Sequence, residues 1–566
     1  MKLTSITIKN FRGIEELTLG FDDLTVLIGE NNTGKTSVLE AIKSCLGPDI
    51  RGRGQVFDPD DYRYINANSR PGDAGPISVE LQFREALLGE WSVDLIQALT
   101  DVIVVDPASG LSSVSLRVTS LRSAAGNLET SWAFLNPQGQ ALAGPASQQS
   151  SLLLFHRITP WFMIQALRDA DREFQAKSSF WGPFVRDINM SAAEIKDFED
   201  TINDLNTKIV DGHETLKEVQ VEVGRVSGIM GSGLSGDVSI DALPARLADI
   251  VSKSTVNMKT HCGAKLPLSR HGAGLQSLSV FLLFQAFVKS QLKKRYDELS
   301  TPVVAIEEPE THLHPSAARV FSASLTNIPG QKIVTSHSGE VVAGVPLGSI
   351  RRLYSRGGKI HVGQINPANY DDNQKRKIDF FVTATRGELL FANVWLLGEG
   401  ETEYWLVNYA ARTVGIDLEL AGIRFVPYAN CGVETMIAVA NELGIRWVLL
   451  SDNDPAGQTC IGTAKGMLGG EPEQNHIVAL PAGMNFEEYL IGMGYEAVYE
   501  ARMGPQLLNP IAAHKGTPSY PAELAKKVNK QKIRCAMDVG EVWLSKQHVP
   551  ILIGRAIHLA AKLGGA

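Results

Sequence analysis

Long apolar runs are missing from this chain. No stretch approaches the ~18–20 residues that span a bilayer, so a membrane-embedded protein is not expected. The opening MKLTSITIKNF lacks the apolar block and cleavage site of a secretory leader and alternates like a strand. Cysteine is scarce: five in 566 residues (Cys45, Cys262, Cys431, Cys460, Cys535), odd in number and without CxxC spacing. That argues against a disulfide framework and for reduced, structural thiols in a cytoplasmic protein. Positive charge is not in excess either; the net −8 gives no global attraction to nucleic acid. No internal repeat is found.

What is present is enough chain for two to four domains and a local charge gradient. From Lys515 onward, Lys526, Lys527, Lys530, Lys532, Arg534, Lys546, Arg555 and Lys562 face only Glu523, Asp538 and Glu541. A solvated helix surface explains these bases as well as a grip on a phosphate backbone does. Residues 49–150, rich in Gly, Pro and Ser with alternating runs such as Ile77–Phe83, predict antiparallel strands with long turns. From Phe174 to Met230 the pattern turns helical, with Phe198, Ile202, Leu205, Ile209, Leu216 and Val219 at three- and four-residue steps. A helical hairpin is expected there, broken by Gly231–Gly236, and it reads either as packed surface helices or as an inserted dimerisation arm. Apolar strands and helices alternate again over 264–385, and Val394–Leu397 opens a fresh α/β unit.

Two constellations carry chemistry. Leu24–Ile28 is an apolar strand that runs into Gly29-Glu30-Asn31-Asn32-Thr33-Gly34-Lys35-Thr36, and Thr36–Leu46 has helical periodicity. Strand, GxxxxGK[ST] and helix together form a phosphate-binding loop, whose amides and helix dipole attract phosphate. Asn31, Asn32, Gly34, Lys35, Thr36 and Ser37 are the expected ATP contacts, with Lys35 on the β and γ phosphates and Thr36 on Mg²⁺. Far downstream, Val303–Ile306 is a buried strand ending in Glu307 and Glu308. Glu307 is expected to hold the metal and Glu308 to polarise the attacking water, and His337, after the strand Lys332–Thr335, to contact the γ-phosphate. Between them, Ser269, Gly272 and Gly274 precede a helix in a small-residue turn; Gln82 and Gln165 are both open as a glutamine loop.

The second constellation is acidic. Trp395–Gly398 is a strand ending in Glu399, with Glu403 one turn later, and Trp447–Ser451 is a strand ending in Asp452 and Asp454. Parallel strands bring such ends together, where clustered carboxylates suit Mg²⁺ or Mn²⁺. Glu487 adds an acid and Lys515 a base for the transition-state charge. Each acid alone could be a helix cap or a surface charge.

The order of loop, long insertion, glycine-rich signature, acidic strand and histidine resembles the ABC-type ATPases shared with chromosome-maintenance and recombination proteins. The signature is not LSGGQ and the first strand acid is Glu rather than Asp. That resemblance implies two protomers sandwiching ATP, with Ser269, Gly272 and Gly274 acting in trans and Arg12 near the nucleotide. EGxTE followed by a strand and DxD resembles the Toprim fold, although Gly398 stands where Toprim strands carry a branched apolar residue, a change expected to loosen the strand. Together, over essentially all 566 residues, the elements resemble the overcoming-lysogenization-defect (OLD) family. The expected layout is a multidomain α/β protein: an ABC/SMC-like ATPase over 1–172 and 256–388, an inserted helical dimerisation region over 173–255, and a Toprim domain over 389–566. The resemblance implies an ATP-controlled, metal-dependent DNA endonuclease, a homodimer or larger assembly, a role in anti-phage defence, and for some relatives a helicase-like partner. The competing expectation is an ATP-gated DNA clamp with inactive Toprim acids. A topoisomerase would need a tyrosine nucleophile, and none is marked out near the acids.

Overall fold

The computed structural model describes residues 1–51, 56–123, 126–165, 191–229, 240, 242–244, 256–259, 263–296 and 298–565. The chain begins with β1 (Leu3–Phe11), β2 (Ile14–Gly20), β3 (Leu24–Ile28) and helix α1 (Lys35–Leu46). Then come β4 (Ile77–Arg84), β5 (Val104–Val105), β6 (Ser112–Arg122), β7 (Leu128–Phe134) and β8 (Trp161–Ile164). Helices α2 (Ala192–Asp211) and α3 (Glu214–Ile229) precede the hairpin β9 (Asn257–Lys259) and β10 (Lys265–Pro267) and helix α4 (Ala273–Arg295). Four strands follow: β11 (Val303–Glu307), β12 (Gln331–Ser336), β13 (Ile350–Arg356) and β14 (Lys359–Gln364).

One sheet, β2-β1-β4-β6-β5 with β7 on β6, is antiparallel, as the alternating runs predict. The second has the order β14-β13-β3-β12-β11-β8, parallel except for β14. Its strands are apolar on both faces because both faces are covered. Val303 and Ala305 of β11 point into the core beneath the antiparallel sheet and α1, while Val304 and Ile306 point into the opposite core. This is an ABC-type arrangement, with the phosphate loop after β3 and the acids after β11 at one edge of a parallel sheet.

The C-terminal unit carries β15 (Val394–Gly398), α5 (Glu401–Val414), β16 (Ile423–Pro427), β17 (Arg446–Ser451), α6 (Pro455–Gly466) and β18 (Ile477–Ala479). Helices α7 (Phe486–Leu490), α8 (Tyr520–Val528), α9 (Lys532–Lys546) and α10 (Ile551–Gly564) complete it. The strand order is β16-β15-β17-β18, all parallel. Trp395 and Leu397 join Trp447 and Leu449 in the same core as Val304 and Ile306 of the ATPase sheet. Val394, Leu396, Val448 and Leu450 face the C-terminal helices instead. A single apolar layer therefore runs from the ATPase sheet into the C-terminal sheet. Arg352, 2 % exposed, is sealed within that junction. Its guanidinium donates to the carbonyls of Leu390 (2.9 Å), Ala392 (2.8 Å) and Leu443 (3.2 Å).

Two expectations change, and a third holds where it is described. The helical hairpin exists as α2 and α3, begun by a Ser191–Glu194 capping box; its expected start at 174–190 and the Gly231–Gly236 break lie outside the described residues. Helix α4 qualifies the expected absence of long apolar runs: Ala273–Leu292 is long and apolar enough, by length and composition, to cross a membrane, although Gln276, Ser279, Gln285 and Lys289 interrupt it. Its Val280, Phe281, Phe284 and Val288 are spent on the core instead. Gly398 does not loosen its strand. A Cβ there would stand 2.6 Å from the Phe425 ring and 3.1 Å from Glu403 Cβ, so glycine is what lets those side chains close over it.

Candidate functional site

The phosphate loop is shaped by glycine at two points. At Gly29 (φ +147) a Cβ would meet the Leu353 carbonyl at 2.2 Å, and Gly34 (φ +90) turns the chain into α1. Lys35 is buried, and its Nζ donates to the carbonyls of Gly29 (2.9 Å) and Glu30 (2.7 Å). Burial lowers its pKa to about 8, against the opposing pull of Glu308, Glu310 and Glu30. Asn31 and Asn32 are exposed at the loop tip, and Ser37 is half-buried in the first turn of α1. The sheet brings β3 and β11 to either side of β12, so Thr36 Oγ1 donates to Glu307 Oε1 at 2.6 Å across 271 residues of sequence. Glu308, held at φ 40, sets Oε1 3.4 Å from His337 Nε2. Burial and the Lys35 charge push the His337 pKa down, which favours a neutral ring.

One participant was not singled out from the sequence. Glu310 Oε1 accepts from Ser336 Oγ (2.9 Å) and the His337 amide (2.7 Å), tying the acidic strand end to the histidine turn. Its Oε2 is buried without a hydrogen-bond partner among the described residues, and burial raises its pKa. The available signal was a third acid in Glu307-Glu308-Pro309-Glu310, which reads as a polar turn. The two glutamine options separate as well. Gln82 lies inside β4 and accepts from Ser5, whereas Gln165 follows Ile164, the partner of Ile306, and so stands level with Glu307 at the sheet edge.

Other residues expected at the ATP site are placed less centrally. Arg12 pairs with Asp61 at 2.8 Å. Ser269 lies in a turn before α4, with Gly272 at the N-cap; the Gln276 amide fixes that turn through the carbonyls of Ser269 (3.1 Å) and His271 (2.7 Å). A Cβ at Gly274 would come 3.1 Å from the His312 carbonyl, holding the signature against the segment after β11.

At the C-terminal site, parallel pairing of β15 with β17 delivers Glu399 and Asp452 to the same edge. Glu399, Glu403 and Asp452 each place a carboxylate oxygen within 4.8 Å of the others. Glu403 reaches inward because its Oε2 accepts from the Gly400 amide at 2.9 Å. Asp454 Oδ1 accepts from the Gly457 amide at 2.8 Å, capping α6, and a Cβ at Gly457 would strike the Asp452 carbonyl at 2.1 Å. Asp452 Oδ1 is buried without a hydrogen-bond partner among the described residues. Burial, then Glu403, Glu487, Glu399 and Asp454, push the Asp452 pKa up to about 8; burial raises that of Glu403. Such crowded carboxylates with an unsatisfied oxygen fit a hard divalent cation, which would hold them ionised.

Lys515, the expected base, is paired away from the acidic cluster. Its ammonium pairs with Glu500 (2.8 Å) and Glu496 (3.8 Å), both on the single helix Glu496–Ala501. Lys532, first residue of α9, stands instead 3.4 Å from buried Glu487. Lys530, Lys532 and Arg534 line a 660 Å³ cleft with Glu401 and Thr402, the two residues next to Glu403 on α5.

Residues 1–388 match the family described as protein of unknown function (DUF2813), and residues 390–454 match the overcoming lysogenization defect protein-like TOPRIM domain. The chain is 27% identical over 514 residues to the uncharacterized protein YbjD of Escherichia coli, covering 88% of each. It is 26% identical to the OLD nuclease of Thermus scotoductus, over 80% of this chain and 82% of that one. To the endonuclease GajA of Bacillus cereus it is 24% identical, over 80% of this chain and 75% of that one. The chain thus belongs to the DUF2813 family through its first 388 residues, and with its C-terminal Toprim domain it is an OLD-family ATPase–Toprim protein.

Proposed function

We propose that this protein is an ATP-binding and ATP-hydrolysing, divalent-metal-dependent DNA endonuclease, its Toprim site governed by the ATPase half, serving anti-phage defence or DNA processing. The observation that carries the reading is the convergence of Glu399, Glu403 and Asp452 around the unsatisfied Asp452 oxygen. These three, with Asp454 and Glu487, would hold Mg²⁺ or Mn²⁺, which when bound would activate water and steady the leaving oxygen. Lys532, beside Glu487, would offset charge at the cleaved phosphate. Lys530 and Arg534 would hold the neighbouring backbone in the cleft. At the other site Lys35 and the loop amides would bind the phosphates of ATP, and Thr36 and Glu307 its Mg²⁺. Glu308 would polarise the attacking water beside His337, whose amide is fixed by Glu310. Ser269, Gly272 and Gly274 would complete the nucleotide site of a second copy, making the protein a homodimer.

Four outcomes test this reading. Asp452→Ala should lower plasmid nicking in Mg²⁺ or Mn²⁺ by about 100-fold or more with ATP binding intact, while Lys35→Ala should weaken ATP binding; nicking by the first or normal affinity in the second contradicts it. The raised Asp452 pKa gives a stability signature. An unfolded aspartate ionises near 3.8 and the folded one near 8, so between these values the unfolded chain binds fewer protons and stability falls as pH rises. In chelator, the melting temperature should therefore decline from pH 5 to 8, and Asp452→Asn should lose much of that decline; identical curves for the two proteins would oppose it. Lys530→Glu with Arg534→Glu should weaken DNA binding and lower the slope of log affinity against log salt by about 1–2, without altering ATP affinity. An unchanged slope places the DNA elsewhere.

A further inference from the structure

The two acid-bearing strands of the Toprim sheet are tied at their starting ends to the ATPase sheet, close to the phosphate loop. β15 is preceded by Asn393, whose Nδ2 donates to Glu30 Oε1 at 2.6 Å. Glu30 is the second residue of the phosphate loop, and its carbonyl is one of the two that hold Lys35 Nζ. The Asn393 backbone also knits the sheet: its amide donates to the Gly422 carbonyl, and its carbonyl accepts from the Arg446 amide, the first residue of β17. Five buried residues later, β15 ends at Gly398 and Glu399 follows.

β17 is anchored differently. The guanidinium of Arg352 holds the Leu443 carbonyl, and that of Arg356 donates to the Gly444 carbonyl (3.3 Å), both just ahead of β17. Glycine at 363 and 444 lets this turn press directly onto β14 and Tyr354; a Cβ would stand 2.5 Å from Leu443 and 2.1 Å from the Tyr354 ring. The turn leading to Asp452 therefore rests on β13 and β14, while the start of the strand leading to Glu399 touches the loop that would receive the nucleotide.

We propose that Asn393 is a positioning residue for the acidic site, and that its contact with Glu30 makes the placement of Glu399 against Asp452 depend on nucleotide at the phosphate loop. This rests on the ATP-governed metal site described above. Phosphates at the loop compete for Lys35, which must leave the Glu30 and Gly29 carbonyls to reach them. The loop resettles, and the Glu30 carboxylate moves with its backbone. A packed five-residue strand carries a small displacement without absorbing it, since interiors are close-packed. The far end must meet a metal site that tolerates little error in spacing.

The test uses the full chain and reads Mn²⁺ affinity of the acidic site, with Asp452→Ala as the blank for ions bound elsewhere, with and without a non-hydrolysable ATP analogue. Plasmid nicking is followed in parallel. For the unaltered protein the analogue should change Mn²⁺ affinity by about threefold or more. Asn393→Ala should leave analogue binding and the nucleotide-free Mn²⁺ affinity within about twofold, yet bring the analogue's effect close to nothing. Asn393→Asp, which sets a carboxylate against Glu30, should do the same. Combining it with Glu30→Gln restores an amide–carboxylate pair with the roles exchanged and should restore the effect, which loss of packing alone would not allow. A full analogue effect in Asn393→Ala, no effect in the unaltered protein, or no rescue by the exchanged pair overturns the proposal. Equal Mn²⁺ uptake by Asp452→Ala and the unaltered protein would overturn the acidic-site reading itself, a result distinguishable from the others.

Discussion

A single buried guanidinium joins the two halves of this protein. Arg352 comes from the ATPase sheet, where it pairs beside Ile28 one residue before the phosphate loop, and it satisfies three carbonyls of the Toprim side. A charge so enclosed is tolerated because hydrogen bonds replace its water, even as burial lowers its pKa to about 10. Around it the apolar layer passes from Val304 and Ile306 to Trp395 and Trp447 without interruption. The orientation of the acidic cluster relative to the phosphate loop is thus set by a core, as the strands of one domain are, rather than by a linker.

Both sites concentrate groups that oppose folding. Lys35 is buried with its ammonium on two carbonyls, and Glu310, Glu403 and Asp452 are carboxyls whose burial raises their pKa. Ligands of opposite charge, phosphate in one case and a divalent cation in the other, would relieve each strain, which is the physical sense in which both sites are built for binding. The surrounding parallel strands supply the rigidity that holds like charges together in the meantime.

Much of this was legible in the sequence because it is periodic or contiguous. The phosphate loop, the acidic end of β11 and the pair Glu399 and Asp452 each follow an apolar strand, and parallel pairing does the rest. What could not be read depends on packing between distant segments. Lys515 and Lys532 are equally basic in sequence; only the tertiary placement of α9, packed on α5, brings Lys532 to Glu487 of α7, while Lys515 is taken by Glu496 and Glu500. Glu310 was not singled out because its partners Ser336 and His337 arrive from another strand. Gly398 read as a weak point because Phe425, which fills the space of its missing side chain, is 27 positions away in sequence and beside it in the sheet.

The central claim is that the Toprim acids form a working, ATP-governed cutting centre and not an inert remnant of one. The most direct measurement is cleavage of supercoiled, linear and single-stranded DNA by the unaltered protein across a titration of Mg²⁺ and Mn²⁺, with and without ATP. The account predicts metal-dependent nicking or cutting whose rate changes when ATP is added. Failure to cut any DNA form at any metal concentration, with ATP binding and DNA binding both intact, would contradict it and leave an ATP-gated clamp in its place.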